Sequence, residues 1–358
     1  MQAVVLAGGQ GTRLKPFTFR SPKQLLPLAN KPFILHLIEY LNSFGIQEII
    51  FSLCYKADDI MSFLGEGSKS GTHILFSVES DPLGTAGALK NVENYLKDES
   101  VLVMNGDLLT DIDIARLIET HRKKKATVTI ALKEVDDPSS FGLVLTESDG
   151  RVKKFIEKPG TDTTVEARTI NAGIYVIEPK VLAKIPPRKN FSFERDLYPM
   201  LLEEKVPFFS EVFRSYWLDV GTLPAYFRAH RDILAEKIKV KVPGKRSEKR
   251  PLWTGTECRI HPSVQIADHV LIGNKVILEE GVAVGEFAVL GDKCVVRKDS
   301  KVTDSILFAG VTIGERARIR DSILGAGAMI EDDCIIRPGN VLGDATLVTR
   351  GSILPASL

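Results

Sequence analysis

The sequence predicts an α/β fold with a mostly parallel sheet and helices on both of its faces, followed by a parallel β-helix of hexapeptide repeats. Three observations lead to this prediction. Strand-like and helix-like segments alternate over residues 1–235, a glycine-rich segment follows the first strand directly, and an apolar residue recurs every six positions in the last third of the chain.

Length and composition are those of a globular protein with two domains. The chain has 358 residues, of which 44% are apolar and 26% charged, as in typical globular proteins. Its 47 basic and 46 acidic residues give no net field, so neither nucleic acid nor a membrane is expected as a partner. The four cysteines are far apart and no signal-peptide pattern precedes the first strand, which predicts a cytoplasmic protein without disulfides.

Alternating patterns predict the first domain over residues 1–235. Strand patterns cover 4–6, 48–53, 74–78 and 101–104, and helical patterns cover 33–44, 58–64 and 84–92. This alternation indicates a parallel sheet that binds its ligand at the carboxyl ends of the strands. Residues 236–252 follow as a basic linker. A solvated linker is favoured over a nucleic-acid arm because no aromatic residue is interleaved with the charges.

Residues 253–358 form the second predicted domain, an internal repeat with a period of six. Small residues predicted to point inward recur at Cys258, Val264, Val270, Val276, Val282, Ala288 and Cys294, each with an apolar companion two positions later, from Ile260 to Val296. After a phase break near Lys301 the predicted inward positions are Ile306/Phe308, Val311/Ile313, Ala317/Ile319, Ile323, Ala328/Ile330 and Cys334/Ile336. The pattern predicts a parallel β-helix, and it resembles the left-handed hexapeptide-repeat helix of acyltransferases.

The segment after the first strand has the features of a phosphate-binding loop. Glycines after a strand leave backbone N–H groups open to an anion, and Arg13 and Lys23 supply two cations. The segment matches neither the P-loop nor the dinucleotide-binding pattern, since Gly-Thr-Arg stands where Gly-Lys-Ser is needed and Leu14 where a third glycine is needed. The candidate nucleotide-binding residues here are Leu6, Ala7, Gly8, Gly9, Gly11 and Thr12.

The string GGQGTRL, with Pro16 and Pro22-Lys23 behind it, resembles the signature of the sugar-1-phosphate nucleotidyltransferases. The resemblance implies a Rossmann-like domain in which a sugar-phosphate oxygen attacks the α-phosphorus of a nucleoside triphosphate and pyrophosphate leaves. It makes Arg13 and Lys23 the catalytic cations. Because the attacking oxygen is already anionic, such a reaction needs in-line positioning and charge neutralisation and no protein nucleophile.

Two aspartates are candidate ligands for Mg²⁺, the implied cofactor. Asp107 ends the apolar strand over 101–104, and Asp219 stands in Trp-Leu-Asp-Val-Gly-Thr. Each aspartate alone is a plausible turn or cap residue. Both occupy positions where the resemblance places the metal-binding pair, and Mg²⁺ takes one or two carboxylates together with phosphate oxygens. Asp107 is also a candidate nucleotide-binding residue.

Three motifs are expected to bind the sugar phosphate. Gly142, after Phe141, leaves room for a sugar beside the backbone. Glu157 and Lys158 belong to a Glu-Lys-Pro motif, and Asn171 begins Asn-Ala-Gly-Ile-Tyr. By resemblance, Glu157 and Asn171 contact the sugar and Lys158 holds its phosphate.

Glu79 is the candidate for base selection. It stands in Val-Glu-Ser-Asp-Pro-Leu-Gly-Thr-Ala-Gly, the segment that contacts the base in the family and includes Gly84. An ionised carboxylate only accepts hydrogen bonds. It therefore suits guanine, which offers N1–H and the 2-amino group side by side, better than uracil or thymine. The alternative is that Glu79 is merely exposed at a strand end.

The Leu-Gly-Thr-Ala-Gly string also resembles mannose-1-phosphate guanylyltransferases, so GTP and mannose 1-phosphate are the expected substrates and GDP-mannose the product. Alternatives are a glucose-1-phosphate thymidylyl- or uridylyltransferase and a non-catalytic regulatory subunit. Retention of Arg13, Lys23, Asp107 and Asp219 opposes the latter. An acyltransferase needs a histidine base, and the repeat region offers only His261 and His269. We expect the β-helix to join copies of the chain into a homo-oligomer.

Overall fold

The computed structural model describes residues 1–65, 71–138, 141–157 and 168–357. The chain divides into two compact units. Unit 1 comprises Met1–Gln10 and Leu37–Asp219, and unit 2 comprises Gly11–His36 and Val220–Leu358. The domain boundaries suggested by composition, at 235 and 253, stay a prediction.

The strands that precede residue 220 lie mostly in unit 1. They are β1 (Ala3–Leu6), β2 (Pro27–Leu28), β3 (Lys31–Pro32), β4 (Glu48–Leu53), β5 (His73–Val78), β6 (Val101–Asn105), β7 (Leu108–Thr110), β8 (Val128–Glu134), β9 (Gly142–Thr146), β10 (Val152–Glu157), β11 (Thr169–Ile177), β12 (Phe208–Phe213) and β13 (Trp217–Asp219). The helices are α1 (Phe33–Ser43), α2 (Ala57–Leu64), α3 (Gly84–Asn91), α4 (Ile114–Lys123), α5 (Tyr198–Glu203) and α6 (Leu223–Leu234). All four predicted strands and all three predicted helices are confirmed.

The sheet of unit 1 has the order β10-β9-β11-β6-β1-β4-β5, and β8 joins β11 to β12. Strands β6, β1, β4 and β5 are parallel, as the alternation of strands and helices predicts. Strand β11 runs antiparallel to β6 and β8, which the sequence pattern did not indicate. Buried residues of β1, β4, β6, β8 and α3 share one apolar core, so the carboxyl ends of β1, β4, β5 and β6 lie on one edge of a rigid sheet.

In unit 2, the segment Gly11–His36 packs against α6 and the repeat region. The Phe17 and Phe308 rings lie 4.8 Å apart, the side-chain amide of Asn30 donates to the carbonyl oxygen of Leu290 at 2.7 Å, and the Tyr226 hydroxyl donates to a backbone carbonyl of β2. The early segment that carries the two predicted catalytic cations is thus built into unit 2.

Two buried histidines hold the turn after β2. The Ala29 N–H donates to Nδ1 of His230, and Nε2 of His36 donates to the Leu28 carbonyl at 2.8 Å. Burial lowers the pKa of His36 from 6.5 to about 3, and the charge of Lys31 adds to the effect. Burial also lowers the pKa of His230 from 6.5 to about 3. Both imidazoles are therefore neutral in the folded protein.

We expect unit 2 to lose stability as the pH falls from 6.5 towards 3. Within this window the unfolded chain binds protons at both histidines and the folded chain does not, so stability is fully present above pH 6.5 and decreases below it, by on the order of 5 kcal/mol per histidine. Urea unfolding, followed by the fluorescence of Trp253 in a Trp217→Phe background, measures this. The variant His36→Gln/His230→Asn keeps the two hydrogen bonds with side chains that do not titrate. Its free energy of unfolding should therefore decrease less as the pH falls. An unchanged pH dependence would contradict the assignment.

The repeat region of unit 2 is a parallel β-helix. Its strands are β14 (Lys245–Arg246), β15 (Leu252–Thr254), β16 (Arg259–Ile260), β17 (Gln265–Ile266), β18 (Val270–Ile272), β19 (Ile277–Leu278), β20 (Ala283–Val284), β21 (Val289–Leu290), β22 (Val295–Val296), β23 (Lys301–Thr303), β24 (Ile306–Leu307), β25 (Thr312–Ile313), β26 (Arg318–Arg320), β27 (Ile323–Leu324), β28 (Met329–Ile330), β29 (Ile335–Ile336), β30 (Val341–Leu342), β31 (Leu347–Val348) and β32 (Ile353–Leu354). From β15 onward each strand pairs in parallel with the strand three places later, which gives three sheets.

Most predicted inward residues of the repeat lie in its core, among them Val270, Ala288 and both Cys294 and Cys334. Three predictions are wrong after the phase break, because Leu307 and Leu324 occupy the core where Ile306, Phe308 and Ile323 were predicted. Ile260, the apolar companion of Cys258, is 37% exposed and lies in β16, the first strand of its sheet.

The phase error has a precise cause at one corner of the β-helix. Paired residues of β21 and β24 are 17 positions apart, whereas those of β18 and β21 are 18 apart. The shortened corner lies at Asp304 and its buried small residue is Ser305, with Ser322 in the same place one coil later. Their hydroxyls donate to nearby carbonyls at 2.8 and 2.7 Å. Serine is small enough to point inward but is polar, so a pattern of apolar residues does not include these two positions.

The cysteines and the histidines of the repeat region have local roles in the structure. All four cysteines are free thiols. His261 and His269 make local hydrogen bonds to Ser263 and Glu286 on the β-helix. Within the residues that the structure describes, no helix is long and apolar enough to cross a membrane. Self-association through the β-helix stays a prediction.

Candidate active site

The glycine-rich segment starts at the carboxyl end of β1. Gly8 is half-buried and Gly9 is exposed. The Ala7 N–H donates to the carbonyl of Ser52 at 2.9 Å, and the Gly106 N–H donates to that of Leu6, also at 2.9 Å. A β-carbon on Gly106 would lie 2.9 Å from the Leu6 oxygen, so only glycine lets the turn after β6 approach β1 this closely.

Glu79 lies beside this segment, at the end of β5. It is only 7% exposed, so the alternative that it is a solvated strand-end residue is wrong. The Ser52 hydroxyl donates to its Oε1 at 2.8 Å, and the Leu83 N–H donates to its Oε2 at 3.0 Å. A β-carbon on Gly8 would lie 3.9 Å from Oε1. The carboxylate is therefore fixed in direction and borders the backbone of the glycine-rich segment.

Cys54 borders the same place. A β-carbon on Gly8 would lie 3.2 Å from the Cβ of Cys54. Burial raises the pKa of the Cys54 thiol, and the negative charges of Glu79 and Asp81 raise it further. A raised pKa favours the neutral thiol, which is a poor nucleophile.

Helix α3 begins at Gly84, whose φ of 70° favours glycine. A β-carbon there would lie 2.8 Å from the carbonyl oxygen of Phe191. That oxygen accepts from the N–H groups of both Ala86 and Gly87 at 2.9 Å. The first turn of α3 thus uses these two N–H groups for a hydrogen-bonded contact within the protein. The requirement for glycine at position 84 comes from this packing.

The two candidate metal ligands are brought together by one strand pair. Asp107 lies in the turn between β6 and β7, and β7 pairs with β13, in which Asp219 lies opposite Leu108, the residue after Asp107. Both aspartates are half-buried. Two carboxylates at a strand edge are a donor set that Mg²⁺ accepts when phosphate oxygens and water complete its shell. No cluster of three or more potential ligands occurs among the described residues, and such a site does not need one.

The Asn-Ala-Gly motif forms an irregularity in β11. The Asn171 amide oxygen accepts from the Gly173 N–H at 2.8 Å, and its nitrogen donates to the Tyr175 hydroxyl at 2.7 Å. Gly173 has a φ of 71°, and a β-carbon on it would lie 2.6 Å from Nδ2 of Asn105. The Trp217 indole donates to the carbonyl of Ala172 at 2.8 Å. This contact ties the motif to the strand that carries Asp219.

Of the other predicted sugar-binding residues, two lie on strands near this motif. Gly142 starts β9 and pairs with Glu157 in β10, and β9 also pairs with β11 one residue before Asn171. The Phe141 ring contacts the Trp217 ring edge to face at 5.5 Å. Lys158 lies outside the described residues, as does the side chain of Glu157.

The remaining candidates belong to unit 2. Gly11 has a φ of 63°, and its carbonyl accepts from the Thr18 hydroxyl at 2.9 Å. A β-carbon on Gly11 would lie 3.2 Å from the Cβ of Lys23. Thr12 and Arg13 are exposed and Lys23 is half-buried. The structure thus places the root of Lys23 directly against the end of the glycine-rich segment.

Sequence reasoning missed two residues of unit 1. Ser52 holds Glu79, as described above. Glu194 lies on a π-helix, Phe193–Leu197, an irregular form frequent at functional sites. Its carboxylate accepts from the Thr85 hydroxyl at 3.1 Å and faces Nδ2 of Asn171 at 3.5 Å. Neither residue belongs to a sequence motif, so only their contacts in the structure identify them as part of the site.

Comparison with known proteins identifies the family of the chain. The family model described as "Nucleotidyl transferase" matches residues 2–236. The chain belongs to the nucleotidyl transferase family. This nucleotidyltransferase also matches the model "EIF2B subunit epsilon LbH domain" over residues 249–354, so its repeat region is a left-handed β-helix.

Relatives of this nucleotidyltransferase act on sugar 1-phosphates. It is 32% identical over 340 residues to a UTP–glucose-1-phosphate uridylyltransferase from Synechocystis sp., covering 90% of this chain and 87% of the relative. It is 34% identical over 337 residues to a mannose-1-phosphate guanylyltransferase from Mycobacterium tuberculosis, covering 94% and 83%. The crystal structure of HddC from Yersinia pseudotuberculosis complexed with GMP-PN matches 64% of this chain and 97% of that chain at 34% identity, with a TM-score of 0.56. The enzyme is a sugar-1-phosphate nucleotidyltransferase.

Proposed function

We propose that this nucleotidyltransferase joins GTP and mannose 1-phosphate to give GDP-mannose and pyrophosphate. One observation carries the choice of GTP. The Glu79 carboxylate is buried at the carboxyl end of β5, and each of its oxygens accepts one hydrogen bond. It lies beside Gly8, which has no side chain. Each oxygen keeps a further lone pair, so the group can accept the two adjacent N–H donors of guanine.

Relatives give independent support for guanine and mannose. Several of them are mannose-1-phosphate guanylyltransferases, including one from Arabidopsis thaliana that is 32% identical over 366 residues. The HddC structure holds GMP-PN. The Synechocystis sp. relative, which uses UTP and glucose 1-phosphate, is the competing assignment.

The proposed roles follow from the chemistry of the transfer. Backbone N–H groups of the glycine-rich segment from Gly8 to Thr12 hold the triphosphate, since the Ala7 N–H already donates to Ser52. Arg13 and Lys23 neutralise the charge that develops as pyrophosphate leaves. The sugar-phosphate oxygen attacks the α-phosphorus in line, and no proton transfer from the protein is required.

Asp107 and Asp219 would hold Mg²⁺, to which their half-buried carboxylates are suited. Mg²⁺ held there would supply Lewis-acid neutralisation of the negative charge on the phosphate groups. The pairing of β7 with β13 places the backbone of Asp219 opposite Leu108, the residue after Asp107.

Sugar binding is assigned to the region around β9 and β11. Gly142 exposes backbone there, Asn171 shapes the irregularity in β11, and Glu157 and Lys158 are expected to bind the hydroxyls and the phosphate. Glu194 adds a carboxylate 3.5 Å from the Asn171 amide, and carboxylates are common acceptors for sugar hydroxyls.

The assay is pyrophosphate release with Mg²⁺, using GTP, UTP, dTTP and ATP against mannose 1-phosphate and glucose 1-phosphate. We expect turnover to be fastest with GTP and mannose 1-phosphate. Glu79→Gln should lower kcat/KM for GTP by about 10–100-fold, because the amide offers a donor to a guanine donor. The same change should raise the relative rate with UTP or dTTP.

Asp81→Asn is the matched control, since Asp81 is exposed and lies two residues away. Glu79→Gln should also speed alkylation of Cys54 at a fixed pH, because it removes a charge that raises the pKa of that thiol. Asp81→Asn should speed it less, since the charge of Asp81 has the weaker effect of the two, so Asp81→Asn is a control for nucleotide preference only. Faster turnover of the wild-type enzyme with UTP and glucose 1-phosphate would overturn the assignment of GTP and leave the family intact.

A further inference from the structure

We propose that Ser52 is a positioning residue that sets the selectivity for guanine by holding the Glu79 carboxylate. The inference rests on the proposed function, because it assigns a cause to the expected preference for GTP. The Ser52 hydroxyl donates its only proton to Oε1 of Glu79 at 2.8 Å.

Ser52 acts through Glu79 and not by touching a ligand. It lies in the middle of the parallel strands, since β4 pairs with β1 on one side and β5 on the other. The residue is fully buried, so no substrate atom can reach its side chain. Glu79 itself retains 7% exposure and borders Gly8.

The two donors together determine the orientation of the carboxylate. The Ser52 hydroxyl, within the sheet, donates to Oε1. The Leu83 N–H, in the loop before α3, donates to Oε2 at 3.0 Å. The terminal torsion of a glutamate is broad and has little preference of its own. With one donor on each oxygen the carboxylate plane is fixed, so that both oxygens can face two neighbouring donors at once.

The consequence is specific to guanine. A bidentate contact uses both N1–H and the 2-amino group, and it requires both oxygens in place. Inosine triphosphate retains N1–H and lacks the 2-amino group, so it makes only one of the two contacts. Removal of the Ser52 hydroxyl lets the carboxylate rotate, which should affect GTP more than inosine triphosphate.

The neighbouring strand offers a matched control. Ser77 lies directly beside Ser52 in the β4–β5 register and is also buried. Its hydroxyl accepts from the Asn91 side chain at 2.9 Å, whereas the Glu79 carboxylate accepts from Ser52 and Leu83. Ser52→Ala and Ser77→Ala thus remove the same buried atom from adjacent strands, and only the first change removes a donor to the Glu79 carboxylate.

The test measures kcat and KM for GTP and for inosine triphosphate with mannose 1-phosphate. We expect Ser52→Ala to lower the GTP-to-inosine-triphosphate ratio of kcat/KM by about tenfold, mainly through a higher KM for GTP, and Ser77→Ala to leave the ratio unchanged. Ser52→Cys keeps the volume with a weaker donor and should lower the ratio less, which preserves the test should Ser52→Ala fold poorly.

Equal ratios in wild type, Ser52→Ala and Ser52→Cys would overturn the inference while the preference for GTP stands. Equal loss of activity with both nucleotides would mean that Ser52 serves stability alone, and would overturn it as well. A wild-type enzyme that does not prefer GTP over UTP would instead contradict the proposed function.

Discussion

Asp219→Asn is expected to lower kcat/KM for pyrophosphate release by about 10²–10³-fold, and Asp107→Asn by a similar factor. Each change keeps the side-chain volume and removes one of the two carboxylates that the β7–β13 pair brings together. Because the two act as a unit, the double variant should be little slower than either single variant. Steady-state rates over a series of Mg²⁺ concentrations measure the effect, and the half-saturating Mg²⁺ concentration should rise.

Asp113→Asn is the control for this pair. Asp113 caps α4 and accepts from the Arg116 N–H at 3.1 Å, and asparagine caps a helix as well as aspartate does. The control variant should retain wild-type rates. Near-normal rates in Asp219→Asn at low Mg²⁺ concentration would exclude Asp219 as a ligand.

Arg13→Gln and Lys23→Met are each expected to reduce kcat by about 10²–10³-fold, with a smaller change in KM for the sugar phosphate. A cation that neutralises the leaving pyrophosphate contributes most in the transition state, so its loss affects kcat more than substrate binding. Lys23→Met retains the apolar stem that packs against Gly11, so the expected loss arises from the charge.

Arg20→Gln is the matched control, because Arg20 is exposed in the same segment of unit 2. It should change neither kcat nor the urea unfolding profile. A rise in KM alone, or equal effects at Arg13 and Arg20, would show that the segment contributes a general positive field and no positioned cation.

Local patterns were sufficient for most elements of the first 105 residues and for the repeat region. The strand over 48–53 and the helix over 84–92 show apolar spacings that depend only on neighbouring residues, and the structure forms both there. The repeat was equally visible, because stacking coils of a β-helix place a small residue inward at a constant interval. The error at Leu307 arose where one corner lost a residue and serine took the inward position.

The residues expected at the site were visible because the chemistry of phosphates and metals restricts residue types: glycines for close approach, cations, and carboxylates. Their arrangement was not visible. That β7 pairs with β13, so that Asp219 lies opposite Leu108, depends on residues more than 100 positions apart.

The sequence alone therefore determined the family of the protein, most regular elements of its first 105 residues, its C-terminal repeat and the chemical types at its site. Only the tertiary structure decided that the segment of Arg13 and Lys23 belongs to the unit of the β-helix, and that Glu79 is buried and held by Ser52. The physical reason is that periodicity and turn chemistry act between near neighbours. Burial and carboxylate orientation instead arise from strands and loops that meet only in the folded chain.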